Sequence, residues 1–84
     1  MTELVTLTLY FREGCHLCDE MLRALMGLQS SLRFEIHQID VDDDPLLARR
    51  YNELVPVLAL EDEEICHHRL DEAVLKGFLA SKRV

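Results

Sequence analysis

Apolar residues fall into seven short blocks along the chain, and their spacing changes from block to block. Leu4 to Tyr10 is rich in Leu, Val and Thr and reads as a first strand. Val5, Leu7 and Leu9 share one phase and Leu4 falls on the other, which suggests a strand covered on both faces. Gly14 breaks the pattern, and a helix is predicted from Leu17 to Leu28, with Cys18, Met21, Leu22, Leu25 and Leu28 on one face. Asp19 and Glu20 lie in its first turn, where carboxylates suit the helix dipole. Gly27 weakens it by about 1 kcal/mol relative to Ala, and Ser30-Ser31 should end it.

A second strand is predicted over Leu32 to Val41. Leu32, Phe34 and Ile36 share a phase that Ile39 and Val41 do not, so the slip at His37–Gln38 predicts a bulge or the strand end. Asp44 suits a helix N-cap and Pro45 a first helical position, giving a helix from Pro45 to about Tyr51. Val57 to Leu60 and Glu64 to His67, joined by the polar turn Glu61-Asp62-Glu63, read as a hairpin. Asp71 is placed to cap a last helix carrying Ala73, Val74, Leu75, Phe78 and Leu79, with Lys82-Arg83 favourable at its C-terminus. The order is βαβαββα. The crossover helix predicts parallel pairing of the first two strands, and the hairpin predicts antiparallel pairing of the last two. An α/β domain over residues 1–84 is expected, with a four-stranded mixed sheet flanked by helices.

Composition narrows the partners. Sixteen acidic and nine basic side chains give a net charge of −7, which disfavours nucleic acid and anionic membranes, since phosphate binding needs clustered Lys and Arg. No run approaches the roughly 20 apolar residues of a membrane span. The first residues, Met1-Thr2-Glu3-Leu4, lack a basic and apolar signal-peptide pattern. Three cysteines are too few, and two lie too close in sequence, for a disulfide scaffold. A cytoplasmic monomer is the expectation.

The chemistry concentrates in Tyr10-Phe11-Arg12-Glu13-Gly14-Cys15-His16-Leu17-Cys18. Two cysteines separated by two residues, at a strand-to-helix junction, read as a redox pair within a βαβ pattern. At the start of the helix, unpaired N–H groups and the dipole favour a Cys15 thiolate, aided by Arg12 and His16 and opposed by Glu13, Asp19 and Glu20. Cys18 lies one turn inside, on the apolar face. The bland alternative is a pair of inert packed cysteines.

The element order, Cys15-His16-Leu17-Cys18 after the first strand and Val55-Pro56 before the third together resemble the thioredoxin superfamily, in its short glutaredoxin branch. The resemblance covers nearly the whole chain. It implies a thioredoxin-like fold and a thiol–disulfide oxidoreductase acting on a disulfide-containing protein or small-molecule thiol, without a tightly bound cofactor. It implies Cys15 as nucleophile, Cys18 as resolving thiol and Pro56 as a cis-proline beside them. His16 and Leu17, between the cysteines, and Val55, whose backbone a substrate strand could pair with, become substrate-binding candidates. Arg12 stands where many glutaredoxins carry a lysine, which implies a hold on a glutathione carboxylate, with glutathione as co-substrate. Ungapped alignment from Val55-Pro56 sets Cys66-His67 where glutaredoxins carry Gly-Gly. Side chains at that place predict weaker processing of glutathione mixed disulfides.

Other residues carry competing readings. Cys66 in a short strand reads as a small core residue, or as a third redox thiol near the site. His67 and His68 read as surface residues. Cys15, Cys18, Cys66 and His67 supply the ligand types of a Cys₃His zinc site, but no second Cys-x-x-Cys or His-x₃-His follows. Asp40 to Asp44 fails as an EF-hand loop, having Pro45 at its sixth position and Tyr51 at its twelfth, so no metal ligand is assigned. Beside dithiol exchange stand a zinc or bridged iron–sulfur module and a redox-inactive binding domain.

Overall fold

The computed structural model describes residues 4–82. Strand β1 spans Val5–Phe11, helix α1 His16–Leu28, strand β2 Phe34–Asp40 and helix α2 Pro45–Tyr51. Strands β3, Val57–Leu60, and β4, Glu63–His67, precede helix α3, Glu72–Lys82. A 3-10 turn, Val41–Asp43, links β2 to α2. The strands form one mixed sheet in the order β2-β1-β3-β4, with β1 parallel to β2 and antiparallel to β3, and β4 antiparallel to β3. The expected βαβαββα order holds.

Two cores sandwich the sheet. On one face Leu7 and Leu9 of β1 and Leu58 and Leu60 of β3 pack with Met21 and Leu25 of α1 and Leu75 and Leu79 of α3. On the other, Val57 packs with Val41 and Tyr51, and Tyr10 joins them. All four residues of β3 are buried, as a central strand covered on both faces requires. The second face of β1 is covered, but not through Leu4 as the sequence suggests. Leu4 precedes the strand and is exposed. Tyr10 covers it instead, its ring stacked on Tyr51 at 4.6 Å between centroids.

The predicted bulge at His37–Gln38 is absent. β1 and β2 pair without interruption from Val5↔Phe34 to Phe11↔Asp40. Phe34 and Ile36 serve the α1/α3 core, while Ile39 lies opposite Tyr10 and so shares its face. The change of phase records which face is covered at each end of the strand. Val41 lies in the 3-10 turn, fully buried. The irregularity falls in β4, where pairing steps from Leu58↔Cys66 to Ala59↔Glu64 and passes over Ile65. This bulge sets both Ile65 and Cys66 toward the α1/α3 core.

Caps account for two of the four aspartates in the acidic run. Asp40 accepts the Asp42 N–H at 2.9 Å, and Asp44 accepts the Leu46 N–H at 2.9 Å with Pro45 first in α2. The Asp71 carboxylate accepts the Val74 N–H at 3.1 Å before α3. On α3, Leu75 and Leu79 are buried and Phe78 half-buried, whereas Ala73 and Val74 face outward. Arg83 and the Lys82 side chain, expected to favour its C-terminus, lie outside the described residues. No helix among the described residues is long and apolar enough to cross a membrane.

Candidate active site

Sheet register gathers the site at one end. Tyr10 pairs with Val57, and Val57 with His67. The chain leaving β1 toward Cys15, the chain entering β3 through Val55-Pro56 and the chain leaving β4 at His67 therefore share that edge.

Gly14 has φ +74°, a left-handed conformation that glycine adopts without Cβ strain. The turn it permits lets the Cys15 N–H donate to the Arg12 carbonyl at 3.3 Å. Cys15 is the N-cap of α1: its backbone is extended, and its Sγ accepts the Cys18 N–H at 3.1 Å. A sulfur in this position meets a free helical N–H and the positive end of a 13-residue helix. Cys15 and Cys18 form a disulfide across a Cα–Cα distance of 5.2 Å. Cys15 is half-exposed, whereas Cys18 retains only 3% of its accessible surface. His16 opens the helix and is exposed. Leu17 is half-buried and borders a cleft of about 160 Å³ with Met21, His68, Arg69 and Leu70.

The Val55–Pro56 bond is cis. The Val55 N–H donates to the Tyr51 carbonyl at 3.2 Å, so this donor is spent at the end of α2. No partner for the Val55 carbonyl is found among the described residues. Of the backbone groups expected to meet a substrate strand, the carbonyl is the one left available.

Each of the three guanidinium nitrogens of Arg12 donates a hydrogen bond. Its Nε and Nη2 donate to the two carboxylate oxygens of Asp42 at 3.0 and 3.1 Å. Its Nη1 donates to the Asn52 carbonyl and side-chain oxygen at 3.3 and 3.1 Å. The guanidinium thus joins the Cys15 loop to the 3-10 turn and to the end of α2. A ligand carboxylate at Arg12 has to compete with Asp42.

Beyond the bulge in β4 ordinary alternation holds, and Cys66 and His67 face opposite sides of the sheet. Cys66 packs against the α1/α3 core, and burial pushes its thiol pKa up against the lowering effect of the Asp71 backbone amide. His67 pairs with Val57 on the other face and bonds the Glu64 carboxylate through Nδ1 at 2.9 Å. Among the described residues no group of three or more His, Cys, Asp and Glu side chains converges as a metal site needs. His68 has φ +65° and makes two bonds. Its N–H donates to the Pro56 carbonyl at 2.8 Å, and its Nε2 meets the Glu53 carbonyl at 2.6 Å. Asp42, Asn52, Glu53 and His68 are absent from the sequence-based site. Asp42 is one of several equivalent aspartates, and nothing local marks the other three.

A four-stranded mixed sheet with a Cys-x-x-Cys disulfide at the start of the first helix defines a thioredoxin-like protein. The chain belongs to the family of the glutaredoxin-like domain (DUF836), whose model matches residues 6–80. It is similar to protein Ne2328 from Nitrosomonas europaea, whose solution NMR structure superposes with a TM-score of 0.83 at 45% identity, over 93% of this chain and 94% of that one. A structural-genomics target protein from X. campestris gives a TM-score of 0.66 at 32% identity, over 89% and 96% of the two chains. A mutant thioredoxin from Halobacterium salinarum gives 0.65 at 25% identity, over 95% and 75%. The uncharacterized protein Rv0508 from Mycobacterium tuberculosis is 31% identical over 74 residues, 82% of this chain and 76% of that protein.

Proposed function

We propose that the protein is a thiol–disulfide oxidoreductase that works through Cys15 and Cys18. The observation that carries this reading is the Cys15 sulfur at the N-cap of α1, half-exposed and in reach of the Cys18 N–H, with its disulfide partner buried behind it. In the reduced protein the Cys15 thiolate attacks one sulfur of a substrate disulfide. A Cys15–substrate disulfide forms, and the other substrate sulfur leaves as a thiolate that takes a proton from water. Cys18 then loses its proton, and its sulfur attacks Cys15. The Cys15–Cys18 disulfide closes and the second substrate thiolate is released. Two electrons pass from the dithiol to the substrate, and an external thiol reductant returns them.

The reaction needs no resident cofactor. The substrate class we propose is a disulfide in a polypeptide, with glutathione a poor co-substrate. Arg12 is held by Asp42 and Asn52, and Cys66-His67 stand where the resemblance places the bare Gly-Gly pair of a glutathione site. The test is reduction of a protein disulfide such as insulin by the pre-reduced protein, with the thiol count of the protein followed by alkylation and mass measurement. Loss of two thiols per chain, abolished by Cys15→Ser, is expected. A protein that keeps both thiols in the presence of the disulfide refutes the reading.

A further inference from the structure

We infer that His68 is a positioning residue for the substrate-facing loop at Val55-Pro56, and that it acts on polypeptide disulfides but not on small ones. The inference rests on the exchange reaction proposed for Cys15 and Cys18. His68 grips the loop at both ends, its N–H on the Pro56 carbonyl at 2.8 Å and its ring on the Glu53 carbonyl at 2.6 Å. A carbonyl only accepts, so Nε2 carries the proton and donates it. Between these two anchors lies Val55, whose N–H is turned to Tyr51 and whose carbonyl has no partner among the described residues.

The loop's other fastenings do not replace His68. Arg12 holds Asn52, one residue before Glu53. Leu54 and Val55 donate their N–H groups to Tyr51 at 2.9 and 3.2 Å, which fixes donors and leaves the carbonyls to other partners. The conformation of His68 is a further sign. At φ +65° glycine has no Cβ penalty, whereas a non-glycine residue is strained by roughly 1 kcal/mol or more. The ring's bond to Glu53 offsets that cost, and an exposed ring has no core to fill in compensation.

The consequence is selective. A polypeptide running beside the target disulfide can donate a backbone N–H to the Val55 carbonyl, in the manner of strand addition. A small disulfide without amide groups cannot. Loosening the loop therefore weakens holding of the first and leaves the second untouched.

The experiment compares wild type, His68→Gly and His68→Gln in single-turnover oxidation of the pre-reduced protein. Insulin serves as the polypeptide disulfide and hydroxyethyl disulfide as the small one. His68→Gly relieves the backbone and removes only an exposed side chain, so it is expected to fold. Its half-saturating insulin concentration should rise about fivefold, the factor expected from losing one net hydrogen bond. Its limiting rate should be unchanged, and both constants for hydroxyethyl disulfide should stay within about twofold, well below that factor. His68→Gln, which restores a side-chain N–H donor, should recover most of the insulin effect. An unchanged insulin constant in His68→Gly overturns the inference, as does an equal loss on both disulfides. If wild type oxidises with neither disulfide, the exchange reaction itself is wrong and the inference falls with it.

Discussion

Replacing Cys15 and Cys18 one at a time should separate the roles proposed for them, because the structure gives their sulfurs unlike surroundings. Cys15 is the N-cap of α1 by its backbone, and its sulfur accepts the Cys18 N–H; a Cys15 thiolate in the reduced protein has the same donor within its reach. An amide donating to a charged acceptor contributes about 1.5–3 kcal/mol, and a helix terminus about 0.3–1 kcal/mol. Taking about 2 kcal/mol for the two together, the thiolate-to-thiol ratio at Cys15 rises about 30-fold, which at neutral pH lifts the thiolate share from about 3% to about 50%, roughly 15-fold. A stabilised thiolate is also a weaker nucleophile. With a Brønsted slope of about 0.4–0.5, some fourfold to fivefold of that is lost, leaving a gain of about threefold to fourfold. Burial of Cys18 to 3% of its surface works in the same direction, by denying it both charge and access. The assay is timed alkylation of the reduced protein with iodoacetamide at neutral pH, in a Cys66→Ala background, with peptide mass mapping. Cys15 should be labelled at least about threefold faster than Cys18, in line with that estimate. With a disulfide substrate, Cys18→Ser should stall as a Cys15 adduct and Cys15→Ser should form none. Equal labelling of the two thiols, or an adduct in Cys15→Ser at the same rate, would refute the assignment of roles and the helix-terminus argument together.

Three further outcomes are expected. Arg12→Ala should lower stability by about 1–2 kcal/mol in urea unfolding, since an exposed ion pair alone contributes only about 0–1 kcal/mol and the bonds to Asn52 add to it; Arg12→Lys, which lacks the planar fork, should recover less than half. Asp44→Ala should cost about 1 kcal/mol through loss of the α2 cap, measured the same way. The Cys66 thiol is pushed up by burial, so the folded state holds its proton more tightly than the unfolded chain. Its contribution to stability is fully present below the unfolded thiol pKa, about 8.5, and is lost as pH rises through the folded value. Cys66→Ala should therefore flatten the alkaline fall in stability, and a fall of equal steepness in wild type and variant would show that Cys66 does not titrate in this way.

The element order, the Cys-x-x-Cys pair and its placement at a strand-to-helix junction were legible in the sequence. They depend on local periodicity, on Gly14 and on caps such as Asp44-Pro45, all of which act within a few residues. The start of α2 at Pro45 was read to the residue for that reason, and its end fell at the approximate place expected, Tyr51. Coverage was less legible. Leu4 looked like the second face of β1, and that role fell to Tyr10, because only the packed sheet shows that Tyr51 lies over it. The phase change in β2 looked like a bulge, since a sequence cannot tell a kinked strand from one covered on different faces at its two ends. The real bulge, at Ile65, leaves the alternation of β4 ambiguous and is set by its pairing with β3. It turns Ile65 and Cys66 to the same face, a break in alternation that no spacing rule conveys. The role of Arg12 was decided over a still longer range: Asp42 and Asn52 lie 30 and 40 residues away along the chain and meet it only when β1, the 3-10 turn and α2 are assembled. The sequence determined which residues could do chemistry. The tertiary structure decided which of them are free to, because hydrogen bonds and burial between distant segments settle whether a charge or a thiol faces solvent or a partner.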